Sequence, residues 1–168
     1  MSSPRSSGTP APGVPPAGTP DTDAVAAWDA YRRLQQFVDA EVARELEQQS
    51  GLSMPDYEVL AALAALTNPD SCIRVRGLAA RLHWAHSRLS RQLGRMETRG
   101  LIAREPCERD GRGDDVVLTA QGREAHDRAA PGHLASVHRH FTGLLSPAQL
   151  AALVDIGHTL AGQGPPAT

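Results

Sequence analysis

The most constraining part of this chain is the stretch from Leu78 to Leu101, L-A-A-R-L-H-W-A-H-S-R-L-S-R-Q-L-G-R-M-E-T-R-G-L. It holds two short helical patterns separated by a tight break near His83-Trp84-Ala85. In the second pattern Leu89, Leu93 and Met96 recur at i, i+4 and i+7, which places them on one helix face. At about 100° per residue, Arg88, Arg91, Arg95 and Arg99 form a stripe roughly opposite, with Ser87 beside it. The apolar back needs a core. The front suits a DNA major groove, where Arg pairs with guanine edges or phosphates and Ser hydrogen-bonds to either. A solvated charged face is the plainer alternative, and the flanking sequence has to decide between them.

The charge distribution favours the groove. The formal net charge is −2. Between Cys72 and Gly113, however, ten arginines face four acids (Glu97, Glu105, Glu108, Asp110), whereas the remaining chain has seven arginines and fifteen acids. A basic segment inside an acidic protein is an electrostatic footprint for nucleic acid. The chain has no Lys, which a genomic compositional bias explains as readily as phosphate binding. There is no run of about 18 apolar residues and no charged-then-apolar leader, so a cytoplasmic protein without a membrane span is expected. The two cysteines, Cys72 and Cys107, match neither a disulfide framework nor a zinc motif.

Residues 1–23 hold six of the thirteen prolines and have little to bury; a disordered tail is expected. From Asp23 to Gln49 the residues Trp28, Tyr31, Leu34, Val38, Val42 and Leu46 recur at helical spacing, and Ser50-Gly51 marks the stop. Ser53-Met54-Pro55-Asp56 reads as a second helix start, with Ser53 as cap, Pro55 in the first turn and Asp56 at the positive end of the dipole. Val59, Leu60, Leu63 and Leu66 supply its apolar face. Cys72 to Val75 reads as a single strand, and Arg76 to Leu82 as a brief helix. A short helix, a tight turn and a second helix form a helix-turn-helix. Leu101 to Glu105 and Asp115 to Thr119 then read as a hairpin around the polar loop 106–114, a wing carrying Arg109 and Arg112. Thr119 caps a helix to about Ala130, which Pro131-Gly132 is expected to kink or break. Leu134, Val137, Phe141 and Leu144 resume the pattern. Ser146-Pro147-Ala148-Gln149 is a capping box that opens a last helix, with Leu150, Leu153, Val154 and Leu160.

This order of elements, together with two motifs, resembles the MarR family (multiple antibiotic resistance regulators) from Trp28 to Gly162. The motifs are Leu89-Ser90-Arg91-Gln92-Leu93-Gly94-Arg95-Met96-Glu97-Thr98-Arg99-Gly100-Leu101-Ile102 and the wing pattern Asp110-x-Arg112-x-x-x-Val116-x-Leu118-Thr119-x-x-Gly122. The resemblance implies a mainly α, α+β fold. A winged helix-turn-helix lobe (51–119) would be joined to a dimerisation region of the first and last helices (24–50 and 120–162), followed by a frayed tail (163–168). It implies a cytoplasmic homodimeric transcriptional regulator, a repressor released from a palindromic double-stranded operator by a small-molecule, aromatic or phenolic effector. The residues matched to DNA contact are His86, Ser87, Arg88, Ser90, Arg91, Arg95, Arg109, Asp110 and Arg112. An effector pocket between dimerisation helices and DNA-binding lobe would draw on Trp28, Tyr31, Phe37, Tyr57 and Trp84. Two positions depart from the family. Gly94 stands where Asp is usual, and Ala85 stands where a Ser or Thr cap is usual.

Other chemistries are weaker. The seven histidines include His133, His138 and His140, whose i, i+5, i+7 spacing spreads them round a helix, so a metal site would need ligands from elsewhere. No metal or cofactor is expected. A metal or redox sensor of the same fold, the latter through Cys107 in a basic wing, and a winged-helix protein-interaction module are the alternatives. No Ser/His/Asp set, paired carboxylates or Gly-rich phosphate loop appears, so no enzyme is expected.

Overall fold

The computed structural model describes residues 22–65, 73–106 and 114–162. In chain order the elements are α1 (Thr22–Ser50), α2 (Met54–Ala64), β1 (Ile73–Arg74), α3 (Val75–Leu82), α4 (His86–Thr98), β2 (Ile102–Pro106), β3 (Asp114–Leu118), α5 (Ala120–His140), a 3-10 turn (Thr142–Leu144) and α6 (Pro147–Gly162). The chain divides into two units at Gln35. In the first unit, Trp28 and Tyr31 of α1 lie with ring centroids 5.8 Å apart and are both exposed. The second unit, from Gln36 onward, contains the core and the winged helix.

The core forms where the apolar faces of α2, α3, α4 and the sheet meet. Val59, Leu60, Leu78, Leu89, Leu93, Met96 and Val116 are all fully buried there. Each such side chain contributes on the order of 1.5–3 kcal/mol of burial. Two of the helix ends are closed by local hydrogen bonds. Ser53 and Asp56 close a reciprocal capping box on α2. Arg99 ends α4, and Gly100 follows at φ +70°, donating to Glu97 O at 2.9 Å while Leu101 N donates to Met96 O at 3.0 Å. This pair of bonds is a Schellman ending. His83 makes the break between α3 and α4 in the same left-handed region, at φ 53°, a conformation that costs a non-glycine residue about 1–2 kcal/mol. Ala85 caps α4 without a side-chain hydrogen bond, as its methyl requires.

The three strands form an antiparallel sheet in the order β1-β3-β2, with Ile73 opposite Val116 and Ala103 opposite Val117. The hairpin of β2 and β3 is the wing; its tip, residues 107–113, lies outside the described residues. The Leu-Thr-x-x-Gly pattern at its end acquires a physical reason. Thr119 Oγ accepts from Gly122 N at 2.9 Å and reaches Gly100 O at 2.7 Å and Leu101 O at 3.1 Å. It therefore caps α5 and ties it to the end of α4. Any Cβ at Gly122 would run into the Leu101 carbonyl, so the close approach requires glycine.

The expected break at Pro131-Gly132 does not occur, because α5 runs continuously to His140 with Pro131 inside. Pro131 is exposed, so the carbonyl deprived of its partner can be hydrated. Ala125, Ala129 and Ser136 are buried and hold both halves of the helix in place. A Cβ built at Gly132 would come within 2.4 Å of the Gln49 side-chain oxygen on α1, so a larger residue there would displace that side chain. The last capping box forms as expected: Ser146 N donates to Gln149 Oε1 at 2.9 Å and Gln149 N to Ser146 Oγ at 3.3 Å. Yet α6 has no buried residue, and Val154, Ile156 and Leu160 are more than half exposed.

Candidate nucleic-acid interface and adjoining cavity

Leu89, Leu93 and Met96 anchor α4 in the core. His86, Ser87, Arg88, Arg91 and Arg95 are exposed on its outer side, and Ser90 is half-buried. The helix is also braced from the wing. Arg104 of β2 donates through Nη2 to Ser90 O at 3.4 Å, and its Nε lies 3.4 Å from a Glu97 carboxylate oxygen. The exposed arginines differ in their surroundings. The Arg88 guanidinium lies over the Trp84 ring, 4.0 Å from its centroid, a cation–π contact. Arg95 donates to Gln92 Oε1. Ser90 Oγ and His86 Nδ1 are 3.5 Å apart. Arg99, a member of the sequence stripe, stays partly exposed but is paired, donating to Asp56 Oδ2 at 2.7 Å and to Gly51 O at 3.3 Å. Arg109, Asp110 and Arg112 lie outside the described residues.

Two functional candidates escaped the sequence reading. Gln92 and Asp56 are each only 3% exposed and are joined by a 2.7 Å bond from Gln92 Nε2 to Asp56 Oδ1. Asp56 lies in the first turn of α2 as expected, but it also closes the capping box with Ser53 and takes Arg99 and Gln92. Burial alone would push its carboxyl up; the hydrogen bonds from Ser53 and Arg99 outweigh this and hold it below the usual aspartate value. The available signal was an amide placed beside Leu89, Leu93 and Met96 on the apolar side of α4.

A cavity of about 760 Å³ opens between α1, α2, α3, α4 and α5. Its apolar lining includes Val42, Met54, Leu82, Val137 and Phe141, and its polar lining Asp39, Glu58, Arg81, Arg88 and His133. Of the aromatic residues expected at an effector pocket, Tyr57 lines it. Phe37, 57% exposed, and Trp84, which lies under Arg88, are not among the lining residues. Trp28 and Tyr31 lie against each other in the first unit. Tyr57 sits between His133 (ring centroids 4.2 Å apart) and His126 (5.6 Å). His133 Nδ1 is buried without a hydrogen-bond partner. Burial lowers the pKa of His133 below the ordinary 6.5, so the ring is neutral near pH 7, and burial raises that of Glu58.

The other histidines occupy separate surroundings. His140 Nε2 lies 2.9 Å from Glu45 Oε1, and Arg139 Nη1 donates to Glu45 Oε2 at 2.8 Å. The His140 bond, then the nearby Ser136 hydroxyl and Arg139, bring Glu45 down to about 2. Among the described residues no group of three or more His, Cys, Asp or Glu could hold a metal ion. Cys72 and Cys107 lie outside the described residues. Among the described residues no helix is long and apolar enough to cross a membrane.

Comparison with known proteins places this geometry. The pattern that defines the MarR family matches residues 50–113, from the last residue of α1 to the residue just before β3. Transcriptional regulator HosA of Escherichia coli O157:H7 is 30% identical over 128 residues, 76% of this chain and 90% of that protein. AbsC, a MarR family transcriptional regulator from Streptomyces coelicolor, superposes with a TM-score of 0.76 at 35% identity, covering 87% of this chain and 99% of its own. Sco3205, a MarR family regulator from the same organism solved in complex with DNA, superposes with a TM-score of 0.80 at 30% identity over 88% of this chain and 92% of its own.

Proposed function

The chain belongs to the MarR family of DNA-binding transcriptional regulators, and within it we propose a homodimeric repressor that a small molecule releases from a palindromic operator. The observation that carries this reading is α4: a fully buried apolar back presenting Ser87, Arg88, Arg91 and Arg95 to solvent. That face enters the major groove, and the wing, with Arg109, Asp110 and Arg112, reaches the neighbouring minor groove. The DNA complex of Sco3205 supports this role. Dimerisation is supported by apolar surface left uncovered in one chain: Val25, Trp28, Tyr31, Leu34 and Phe37 on α1, and Val154, Ile156 and Leu160 on α6. Isolated exposed leucines are ordinary, but a whole helix without a buried residue needs a partner surface.

The effector site of this reading is the cavity. Its apolar wall suits an aromatic ring. His133, neutral and with an unpartnered Nδ1 beside Tyr57, suits a phenolic hydroxyl, which can donate or accept and so serves either imidazole tautomer. Arg88 belongs to both the cavity wall and α4. A ligand that engages it therefore acts directly on the DNA-reading helix, and repression is relieved if the ligand binds the DNA-free form better. Sedimentation should give twice the chain mass at micromolar concentration. Titration of the chain's own upstream DNA should give affinity that falls with salt and falls again with a phenolic compound that raises the melting temperature. Arg91→Ala should weaken specific binding by roughly 1–3 kcal/mol if Arg91 reads a base edge. A folded monomer with full DNA affinity would overturn the dimer, and an Arg91→Ala, Arg95→Ala double variant that binds normally would overturn the assignment of α4.

A further inference from the structure

We propose that Gln92 and Asp56 are positioning residues for DNA reading, a buried relay that sets the direction in which Arg95 leaves the recognition helix. This rests on the reading of α4 as the DNA-contacting helix. Gln92 Nε2 donates to Asp56 Oδ1 at 2.7 Å, and Gln92 Oε1 accepts from Arg95 Nη2. The orientation of the amide is dictated by charge: its NH₂ faces the carboxylate and its carbonyl faces the guanidinium, the one arrangement that satisfies both neighbours. Asp56 is itself locked. Its Oδ2 accepts from Ser53 N at 3.0 Å, Ser53 Oγ at 2.8 Å and Arg99 Nη1 at 2.7 Å.

The consequence follows from the difference between an amide and a carboxylate next to an arginine. A carboxylate at position 92 would neutralise Arg95 and compete with phosphate for it. The neutral amide fixes one edge of the guanidinium and leaves its charge intact. A long, exposed side chain loses considerable rotamer entropy when it docks on a base. A side chain already held loses less on binding, so its contact discriminates better. The anchor lies on α2, whose first turn also supplies Met54, Pro55, Tyr57 and Glu58 to the cavity wall. The relay therefore joins that wall to the DNA face.

The test is a double-mutant cycle on the full chain, using its own upstream region and an unrelated duplex of equal length, with affinities referred to folded protein. Gln92→Met keeps the volume and removes both hydrogen bonds. It should lower specific affinity about ten-fold while leaving affinity for the unrelated duplex and the salt slope as in wild type, because Arg95 keeps its charge. On an Arg95→Ala background the same substitution should have little further effect. Asp56→Asn, which retains the shape of the α2 cap, serves in the same cycle if Gln92→Met folds poorly. Additive losses, or equal losses on both duplexes, would overturn the relay. So would an Arg95→Ala variant with wild-type specificity; if Arg91→Ala then still weakens binding, α4 remains the reading helix and the relay alone fails.

Discussion

Gly94 stands in the middle of α4 in regular helical geometry, and a Cβ built there meets nothing within 4 Å. Gly94→Ala therefore adds a methyl without a clash and without much packing, so its effect is the helix-propensity difference between the two residues. That is about 0.8–1 kcal/mol per chain, arising chiefly from the freedom that glycine has when unfolded. For a chain of this size it corresponds to a melting temperature raised by roughly 2–4 °C. The Thr98 hydroxyl bond to Gly94 O, at 3.0 Å, involves backbone and survives. Gly122→Ala is the matched opposite, since its Cβ would overlap the rigid Leu101 carbonyl and come within 2.9 Å of Leu118 Cδ1. Overpacking of this kind costs about 1–3 kcal/mol or more. The assay is denaturant unfolding followed by helical circular dichroism, at one fixed chain concentration because association contributes to apparent stability. A destabilised Gly94→Ala, or a neutral Gly122→Ala, would refute the account of how α4 and the wing pack.

Three further outcomes follow from the core, the caps and the charges. Leu93→Ala, at a fully buried position, should cost roughly 3–5 kcal/mol in the same unfolding assay, and DNA affinity should fall with the folded fraction. Thr119→Ala removes the α5 cap and the tie to Gly100, and should cost about 1 kcal/mol, with the wing amides exchanging faster by hydrogen exchange. Glu45, held at about 2 against an ordinary 4.5, contributes stability that is complete above pH 4.5 and lost as pH falls toward 2. Glu45→Gln should flatten the stability profile in that window, and an unchanged acid slope would exclude the His140 and Arg139 contacts as its source.

Much of this fold was legible in the chain because its signals are local. The i, i+4, i+7 spacing of Leu89, Leu93 and Met96, the Ser53 cap, the Ser146 box and the stop of α1 at Ser50-Gly51 act within one or two turns, and the structure places each where periodicity and capping put it. So does the wing: its two strands are separated by a loop too polar to bury. Three-dimensional packing decided the rest. Pro131 ought to end a helix, yet α5 continues because burial on both sides of it outweighs one lost hydrogen bond. Arg99 shares the angular stripe of Arg91 and Arg95, but Asp56, 43 residues earlier in sequence, holds its guanidinium in an ion pair. Gln92 and Asp56 read as a polar helix residue and a first-turn acid; only the packing of α2 on α4 turns them into one buried network. The cavity is likewise a product of five helices meeting, and Asp39, Arg81 and His133 have no sequence pattern in common. Hydrophobic period and backbone capping are written along the chain; which distant polar groups meet in a dry interior depends on how the elements pack.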